Sequence, residues 1–238
     1  MNYNIIATGS TGNAVLINEN ILMDIGVPYK AIEPYADAIR VVCLTHTHSD
    51  HFKPSTIRRL HELHPAIRWI TSEDVAKELL KIVDPRVVDI VYPLANPFGT
   101  GLTYFGLAKN ARSATISAFP VRHNVPNIGF KLKLGDERVF YCTDCGDLEG
   151  IEAKDFDLYL IEANYKTADI INRAAAKLES GAYTYEMEVI KNHLSEEQAT
   201  SWLVENVGPR SVYQFLHQHR EEEDNGGETD VYEEDNRL

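Results

Sequence analysis

The chain has 238 residues, of which 44% are hydrophobic and 25% are charged, and its formal net charge is −13 with a pI near 5.1. These values predict a globular protein with a substantial core. They disfavour prolonged binding of nucleic acid and binding to an anionic membrane surface, because both depend on cationic side chains. No stretch is apolar enough to predict a membrane span, and three cysteines, an odd number, favour a reducing cytoplasm.

Negative charge is concentrated at the end of the chain. Residues 221–238 contain nine acidic side chains and a single arginine. Apolar residues are nearly absent from this segment, so it has little to bury in exchange for the entropy lost on ordering. We therefore predict one domain over residues 1–220 followed by an acidic, disordered tail over residues 221–238.

Several segments have the composition or alternation of β-strands. In chain order they are residues 2–8, 13–26 as a hairpin, 38–45, 66–71, 103–108, 115–123, 127–134, 138–144, 156–164 and 211–217. The hairpin is predicted to turn at residues 18–20. The β-branched run at 38–45 is typical of a strand buried on both faces.

Helical periodicity predicts four helices between these strands. They cover residues 54–64, 73–83, 169–179 and 196–207. Ser55, Ser72 and Ser195 are candidate N-cap residues because each stands at a predicted helix start. Two β-rich halves, each followed by helices, predict an α/β fold in which two sheets face each other with helices outside.

The strongest functional signal is the hexapeptide from His46 to His51, which reads His-Thr-His-Ser-Asp-His and directly follows the predicted strand 38–45. A rigid strand end holds such a loop of ligands in place. Imidazole and carboxylate groups suit Zn²⁺, Mn²⁺ or Fe. Four such groups within six residues cannot all face one ion, so the motif predicts two adjacent metal ions.

This hexapeptide resembles the H-x-H-x-D-H signature of the metallo-β-lactamase fold superfamily. Four further residues match the other motifs of the superfamily in the right order: Asp24 in ILMDIG, His123 in FPVRHNVPNIGF, Asp144 in YCTDCG and His217 in FLHQHRE. The resemblance covers most of residues 1–220. It implies a four-layer αβ/βα sandwich of two facing mixed β-sheets with outer helices.

The resemblance also implies seven ligands for two divalent ions, with Zn²⁺ expected and Mn²⁺ as the alternative. One ion would be held by His46, His48 and His123, the other by Asp50, His51 and His217, and Asp144 would bridge them. Asp24 would support the hexapeptide from outside the ligand set. His219 lies two residues beyond His217 and is its rival as the last ligand.

The aspartate at position 144 resembles the one that glyoxalase II, lactonases and phosphodiesterases such as tRNase Z have at the bridging position. DLYLIEANY resembles the tRNase Z segment that carries a glutamate, and it places Glu162 in that role. NHLSEEQA resembles the segment in which a histidine precedes a helix, and it places His193 there. Together with GSTGN (9–13), these segments look most like the YycJ-type subgroup, which usually has serine where this chain has His219.

Phosphodiester cleavage needs a hydroxide nucleophile, here held between the two ions, charge neutralisation and a proton for the leaving oxygen. Asp50 would contribute as a metal ligand, while His193 would donate the proton and Glu162 would orient it. His193 could instead be a solvated helix-entry residue, and Glu162 an ordinary acid at a strand end. Three tyrosines could stack on a base, although packing is the simpler interpretation; they are Tyr165, Tyr183 and Tyr185.

Spacing restricts the substrate. Only 20 residues lie between His123 and Asp144, which leaves no room for the long arm with which tRNase Z holds tRNA or for the inserted domain of β-CASP nucleases. We expect a small nucleotide, as in phage anti-Pycsar phosphodiesterases that open cyclic mononucleotides. The alternatives are a YycJ-like 5′ exonuclease on DNA and a glyoxalase II- or lactonase-type ester hydrolase. The resemblance further implies a homodimer.

Overall fold

A computed structural model describes residues 1–93, 101–108 and 111–218. The acidic segment 221–238 and His219, on which two of the predictions fall, lie outside the described residues. Among the residues described, no helix combines the length and the apolar character needed to cross a membrane.

The first sheet has six strands in the order β1-β2-β3-β4-β5-β6. They are β1 (Tyr3–Ala7), β2 (Ala14–Ile17), β3 (Ile21–Met23), β4 (Val41–Leu44), β5 (Arg68–Thr71) and β6 (Val88–Ile90). β1 and β2, and β2 and β3, pair antiparallel, whereas β3 to β6 are parallel. The β2–β3 hairpin turns at Asn18 and Glu19, which have the positive φ angles that a tight hairpin turn requires.

The second sheet has six strands in the order β12-β11-β10-β9-β8-β7. They are β7 (Leu102–Ala108), β8 (Ala111–Val121), β9 (Asn127–Leu134), β10 (Glu137–Cys142), β11 (Leu158–Glu162) and β12 (Val212–Leu216). β7 to β10 pair antiparallel, and β10, β11 and β12 are parallel. Both sheets are therefore mixed.

Helices connect the strands, and several of them cover the outer faces of the two sheets. The helices are α1 (Tyr29–Ile32), α2 (Pro54–Leu63), α3 (Glu73–Leu79), α4 (Thr167–Ser180), α5 (Glu186–Asn192) and α6 (Glu196–Asn206). Ile32, Leu60 and Leu79 pack with the outer side of the first sheet. Ala199 and Leu203 of α6 pack on the outer side of the second sheet.

The main apolar core lies between the two sheets. Met23 and Cys43 of the first sheet share one buried cluster with Phe130, Tyr141 and Leu160 of the second. Burying apolar area contributes about 25 cal/mol per Å², so this layer holds the two sheets face to face. The predicted four-layer αβ/βα sandwich of two facing mixed sheets is confirmed.

Two of the three predicted helix caps are confirmed. The Ser72 hydroxyl accepts a hydrogen bond from Val75 N–H, and Ser195 forms a capping box with Gln198 at the start of α6. The prediction for Ser55 is wrong: the cap position before α2 is Lys53, and its side chain makes no cap hydrogen bond. The reason is Pro54, which takes the first helical position because its φ angle is preset and it has no N–H to satisfy.

Sequence reasoning missed three short elements, α1, β6 and α5. Each has only three to seven residues, too few to show a clear period. The omission of α5 matters for function because that helix ends directly before His193.

Candidate metal centre

The predicted ligands all follow strands that end at one edge of the sandwich. His46 comes two residues after β4, His123 two after β8, Asp144 two after β10, and His217 directly after β12. β10, β11 and β12 are parallel, and β8 runs in the same direction because it is separated from β10 by the antiparallel β9. Carboxyl ends of parallel strands meet at one edge, so residues far apart in sequence become neighbours.

Three histidines form the first cluster at this edge. His46, His48 and His123 each offer one ring nitrogen within 4.8 Å of those of the other two. His48 Nδ1 lies 3.3 Å from His123 Nε2. This is the set of residues predicted to hold one metal ion.

The second cluster contains Asp50, His51 and His217, whose ligand atoms also lie within 4.8 Å of one another. Asp50 Oδ2 is 3.5 Å from His51 Nε2 and 3.5 Å from His217 Nε2. Asp144 joins the two clusters, because it groups with His46 of the first and His51 of the second within the same distance limit. The structure thus brings all seven predicted ligands close together, and Asp144 and His217 also form a group with Glu162 and His193.

Whether these residues fit metal ions depends on which nitrogen of each ring carries the proton. His51 Nδ1 lies 2.9 Å from the Asp24 carboxylate, which can only accept, so that nitrogen is protonated. His123 Nδ1 likewise donates to the carbonyl of Asn192 over 3.1 Å, and His217 Nδ1 donates to Glu162 over 3.1 Å. In each ring the lone pair is therefore left on Nε2, the atom that faces the cluster.

His46 has the same tautomer for a less direct reason. The Thr45 hydroxyl donates to Asp24, so its oxygen accepts from His46 Nδ1 over 3.0 Å. His46 Nε2 and His217 Nε2 are buried, and neither has a hydrogen-bond partner among the residues that the structure describes. Asp144 Oδ2 lies 2.7 Å from His51 Nε2, so with the His51 proton on Nδ1 this pair also brings two acceptors together. Acceptor atoms that converge without donors need a cation, so the donor set fits divalent metal.

Asp24 holds this arrangement together from below the ligands. Its carboxylate accepts from Thr45 N–H at 2.8 Å, from the Thr45 hydroxyl, from His51 Nδ1 and from the Tyr141 hydroxyl at 3.1 Å. The side chain is fully buried. Its predicted supporting role agrees with this geometry, since it contacts Nδ1 of the His51 ring and not the ligand atom Nε2.

Backbone strain is concentrated at the same edge. Asp24, Asp144 and His217 have φ angles of 59°, 54° and 53° in the left-handed region, which costs about 1 kcal/mol or more for such a residue. Hydrogen bonds fix the last of them: His217 N–H donates to the Thr8 hydroxyl at 2.7 Å, and the Asn164 amide donates to the His217 carbonyl at 2.9 Å. Strain of this kind persists where surrounding contacts impose it, commonly at functional sites.

Beside the clusters lies the pair predicted to handle a proton. His193 Nδ1 is 2.6 Å from Glu162 Oε1 and 3.6 Å from Asp144 Oδ1. Glu162 is fully buried, and its second oxygen accepts from the backbone N–H groups of Cys145 and Leu194. His193 is therefore not a solvated helix-entry residue: its side chain is 17% exposed and held by a fixed carboxylate.

Electrostatics favours a charged pair here. Burial alone would raise the pKa of Glu162, but hydrogen bonds from His193 and His217 hold it below the ordinary value. Burial opposes protonation of His193, yet the hydrogen bond to Glu162 raises the pKa of that ring. By contrast, burial lowers the pKa of His46 and of His123, which keeps both rings in the neutral, metal-binding form.

A family model described as a beta-lactamase superfamily domain matches residues 20–215. The chain belongs to the beta-lactamase superfamily. No curated protein matches it by sequence. Superfamily members are typically metal-dependent hydrolases, and the clustered His and Asp side chains of this member are those expected of such an enzyme.

Solved structures show the same fold. The metallo-beta-lactamase fold protein YhfI from Bacillus subtilis superposes with a TM-score of 0.63 at 14% identity, over 91% of this chain and 85% of its own. The short form of human tRNase Z superposes with a TM-score of 0.62 at 17% identity, over 92% of this chain and 93% of its own. Zn²⁺-bound PqqB from Methylobacterium extorquens superposes with a TM-score of 0.61 at 14% identity, over 92% of this chain and 89% of its own. At these identities the likeness establishes the superfamily fold.

Sequence reasoning missed several residues that position the superfamily motif. The buried Asn13 amide lies 2.8 Å from His51 Nε2 and 3.2 Å from the Asp50 carbonyl. Asn13 belongs to GSTGN, which from sequence could be either a phosphate-binding loop or a tight turn, and neither interpretation predicted the contact of Asn13 with His51. Asn164 and Asn192 were missed as well, because a side chain or carbonyl that supports a histidine distant in sequence has no local pattern. Thr45, which contacts the adjacent His46, was also missed.

A cavity of about 310 Å³ opens above the two clusters. Its described lining comprises Ser10, His48, Asp50, His123, Asn124, Asp144, Tyr185, Glu188, Val189, Asn192, His193 and His217. This lining includes three acidic side chains and, as far as the chain is described, neither lysine nor arginine. Of the three candidate stacking tyrosines, Tyr185 lines the cavity, while Tyr165 is buried elsewhere and Tyr183 lies outside the lining.

Proposed function

We propose that the chain is a two-metal phosphodiesterase that hydrolyses a small nucleotide, with a cyclic mononucleotide as the substrate class. His46, His48 and His123 would hold one divalent ion, and Asp50, His51 and His217 the other, with Asp144 shared between them. Zn²⁺ is the expected metal and Mn²⁺ the alternative, since imidazole and carboxylate suit both. Bound ions would supply a hydroxide nucleophile near neutral pH and neutralise charge on the phosphate oxygens.

The observation that carries the proposal is the contact between His193 and Glu162 at the edge of the ligand clusters. With Nδ1 bound to the carboxylate, His193 keeps Nε2 to hold a proton for the leaving alkoxide. Glu162 fixes the ring plane and stabilises the protonated form. Alkoxide departure from a phosphodiester needs such a proton, whereas a thioester hydrolase of this fold has less need of it because a thiolate leaves readily.

The size and charge of the cavity support a small substrate. A volume of about 310 Å³ is at the lower end of the range for small-molecule sites. Polynucleotide binding depends on lysine and arginine contacts to successive phosphates, and the described lining has none. One structural neighbour is a tRNase by name, which supports phosphodiester chemistry on this fold.

The test compares His193→Ala with the wild type on two phosphodiesters. A positioned proton donor contributes about a hundredfold to ten-thousandfold in rate, and only where the leaving group needs a proton. We expect a loss of that size for a 3′,5′-cyclic mononucleotide and a much smaller loss for bis-p-nitrophenyl phosphate, because nitrophenolate leaves without protonation. His64→Ala is the matched control, since His64 lies at the end of α2 and outside the described lining of the cavity.

Equal losses on both substrates would show that His193 is structural or a metal ligand. Wild-type turnover of 5′-phosphorylated DNA, with cyclic mononucleotides left intact, would replace the proposed substrate by DNA. Turnover of S-lactoylglutathione alone would replace the phosphodiesterase by an ester hydrolase with the same metal ligands.

A further inference from the structure

Helix α5 presents one face to the cavity. Tyr185, Glu188, Val189 and Asn192 all line it, and their spacing of three or four residues places them on the same side of a helix. Tyr185 directly precedes the helix and His193 directly follows it. With a rise of about 1.5 Å per residue, the two Cα atoms are separated by about 12 Å along the helix axis, with side chains of both lining the space between.

The Tyr185 ring is held in place before any ligand binds. Lys177 of α4 places its ammonium 4.0 Å from the ring centre. The same ammonium lies 2.5 Å from Glu186 Oε1, and the Glu186 side chain is fully buried. One face of the ring is therefore occupied by a cation that is itself fixed, and cation–π attraction keeps the ring against it.

Tyr185 is nevertheless partly open to solvent where it lines the cavity. The residue is 44% exposed, against 8% for Tyr165, which is packed in the body. A side chain that served only packing would not combine a pinned ring with this exposure at the mouth of the cavity. A ring immobilised in advance loses little entropy when a flat group stacks on it.

We infer that Tyr185 is the stacking platform for the nucleobase of the substrate, which makes it a residue that determines specificity. The inference rests on the proposed function, because it presumes a nucleotide whose phosphate lies at the metal clusters. Stacking suits this wall of the cavity better than a second phosphate does, since Glu188 is the charged residue that α5 adds to the lining and it is acidic. Every base has a π-face, so the platform favours nucleotides over base-free phosphates.

The test measures binding, not turnover, with a pair of probes that differ by the base alone. Adenosine 5′-monophosphate and ribose 5-phosphate are titrated calorimetrically into Zn²⁺-loaded full-length protein. Base–aromatic stacking contributes about 1–3 kcal/mol per base, or about five- to 150-fold in affinity. We expect Tyr185→Ala to lower the affinity for the nucleotide by that factor and to leave the affinity for ribose 5-phosphate unchanged. Tyr185→Phe, which keeps the ring, should retain most of the affinity for the nucleotide.

Tyr183→Ala is the matched control, because Tyr183 is 82% exposed, lies two residues away and is not part of the described lining. The inference is overturned if Tyr185→Ala lowers the affinity for both probes equally, or lowers the affinity for neither. So does a wild type that binds the nucleotide no more tightly than ribose 5-phosphate. Those results leave the phosphodiesterase proposal standing if bis-p-nitrophenyl phosphate is cleaved, so failure of the platform and failure of the proposed function are distinguishable.

Discussion

Replacing Asp24 with asparagine is expected to weaken metal binding without removing a ligand. Asp24 Oδ1 accepts from Thr45 N–H, whereas Oδ2 accepts from His51 Nδ1 and from the Tyr141 hydroxyl. In the variant the amide oxygen stays with Thr45 N–H, so the amide NH₂ replaces Oδ2 and faces His51 Nδ1. Two donors cannot pair, and His51 must move its proton to Nε2, the atom offered to the metal.

The size of the effect follows from the kind of contact that is lost. Removing a partner that orients a metal-binding histidine costs about ten- to hundredfold in metal affinity, or about 1.4–2.8 kcal/mol. Asparagine tolerates left-handed backbone as well as aspartate does, so the φ angle of 59° at this position adds no new strain. The loss in affinity therefore reports on the His51 tautomer.

The assay is competition for Zn²⁺ between the protein and a chelator of known affinity. Two variants serve as controls. Asp155→Asn makes the same substitution at another aspartate with positive φ, placed before the amino end of β11 and so at the opposite edge of the sheet. Tyr141→Phe removes another partner of Asp24 while leaving its bond to His51. Unchanged Zn²⁺ affinity in Asp24→Asn, or an equal loss in Tyr141→Phe, would refute the tautomer argument.

Further substitutions test the shared ligand and the helix caps. Asp144→Asn keeps a residue suited to the left-handed backbone but removes the charge that faces both clusters. Metal analysis should therefore give fewer than two ions per chain, and turnover should be abolished. Two ions per chain with wild-type turnover would contradict a shared ligand. Ser195→Ala removes the half of the α6 capping box in which the Ser195 hydroxyl accepts from Gln198 N–H, while the backbone N–H of residue 195 can still donate to the Gln198 side chain. It should lower the free energy of unfolding by about 1 kcal/mol. Ser55→Ala should change it by much less, because Ser55 caps nothing, and equal losses in urea unfolding would contradict that distinction.

Local features of the site could be predicted from the sequence because they depend on near neighbours. The hexapeptide from His46 to His51 follows a buried strand, and its ligands lie within six residues, so the chemistry of the motif is visible without any tertiary contact. The Ser72 and Ser195 caps are equally local. Where a competing local preference was present, as with Pro54 beside Ser55, the prediction went wrong for a local reason too.

The long-range ligands were predicted through a family resemblance and not from spacing. Nothing in the intervals between His51, His123, Asp144 and His217 indicates that these residues meet. They meet because the strands that precede them end at one edge of two facing sheets.

By itself, then, the sequence determined the strands other than β6, most of the helices, the alternation that makes two facing sheets, and the residue types at the candidate metal centre. Only the tertiary structure decided which nitrogen of His51, His123 and His217 faces the ligand clusters, because Asp24, Asn192 and Glu162 reach those rings from other elements. It also singled out Tyr185 among three equivalent-looking tyrosines. The physical reason is that a tautomer and an exposed ring face are set by the atoms packed around a side chain, and most of those atoms come from residues distant in sequence.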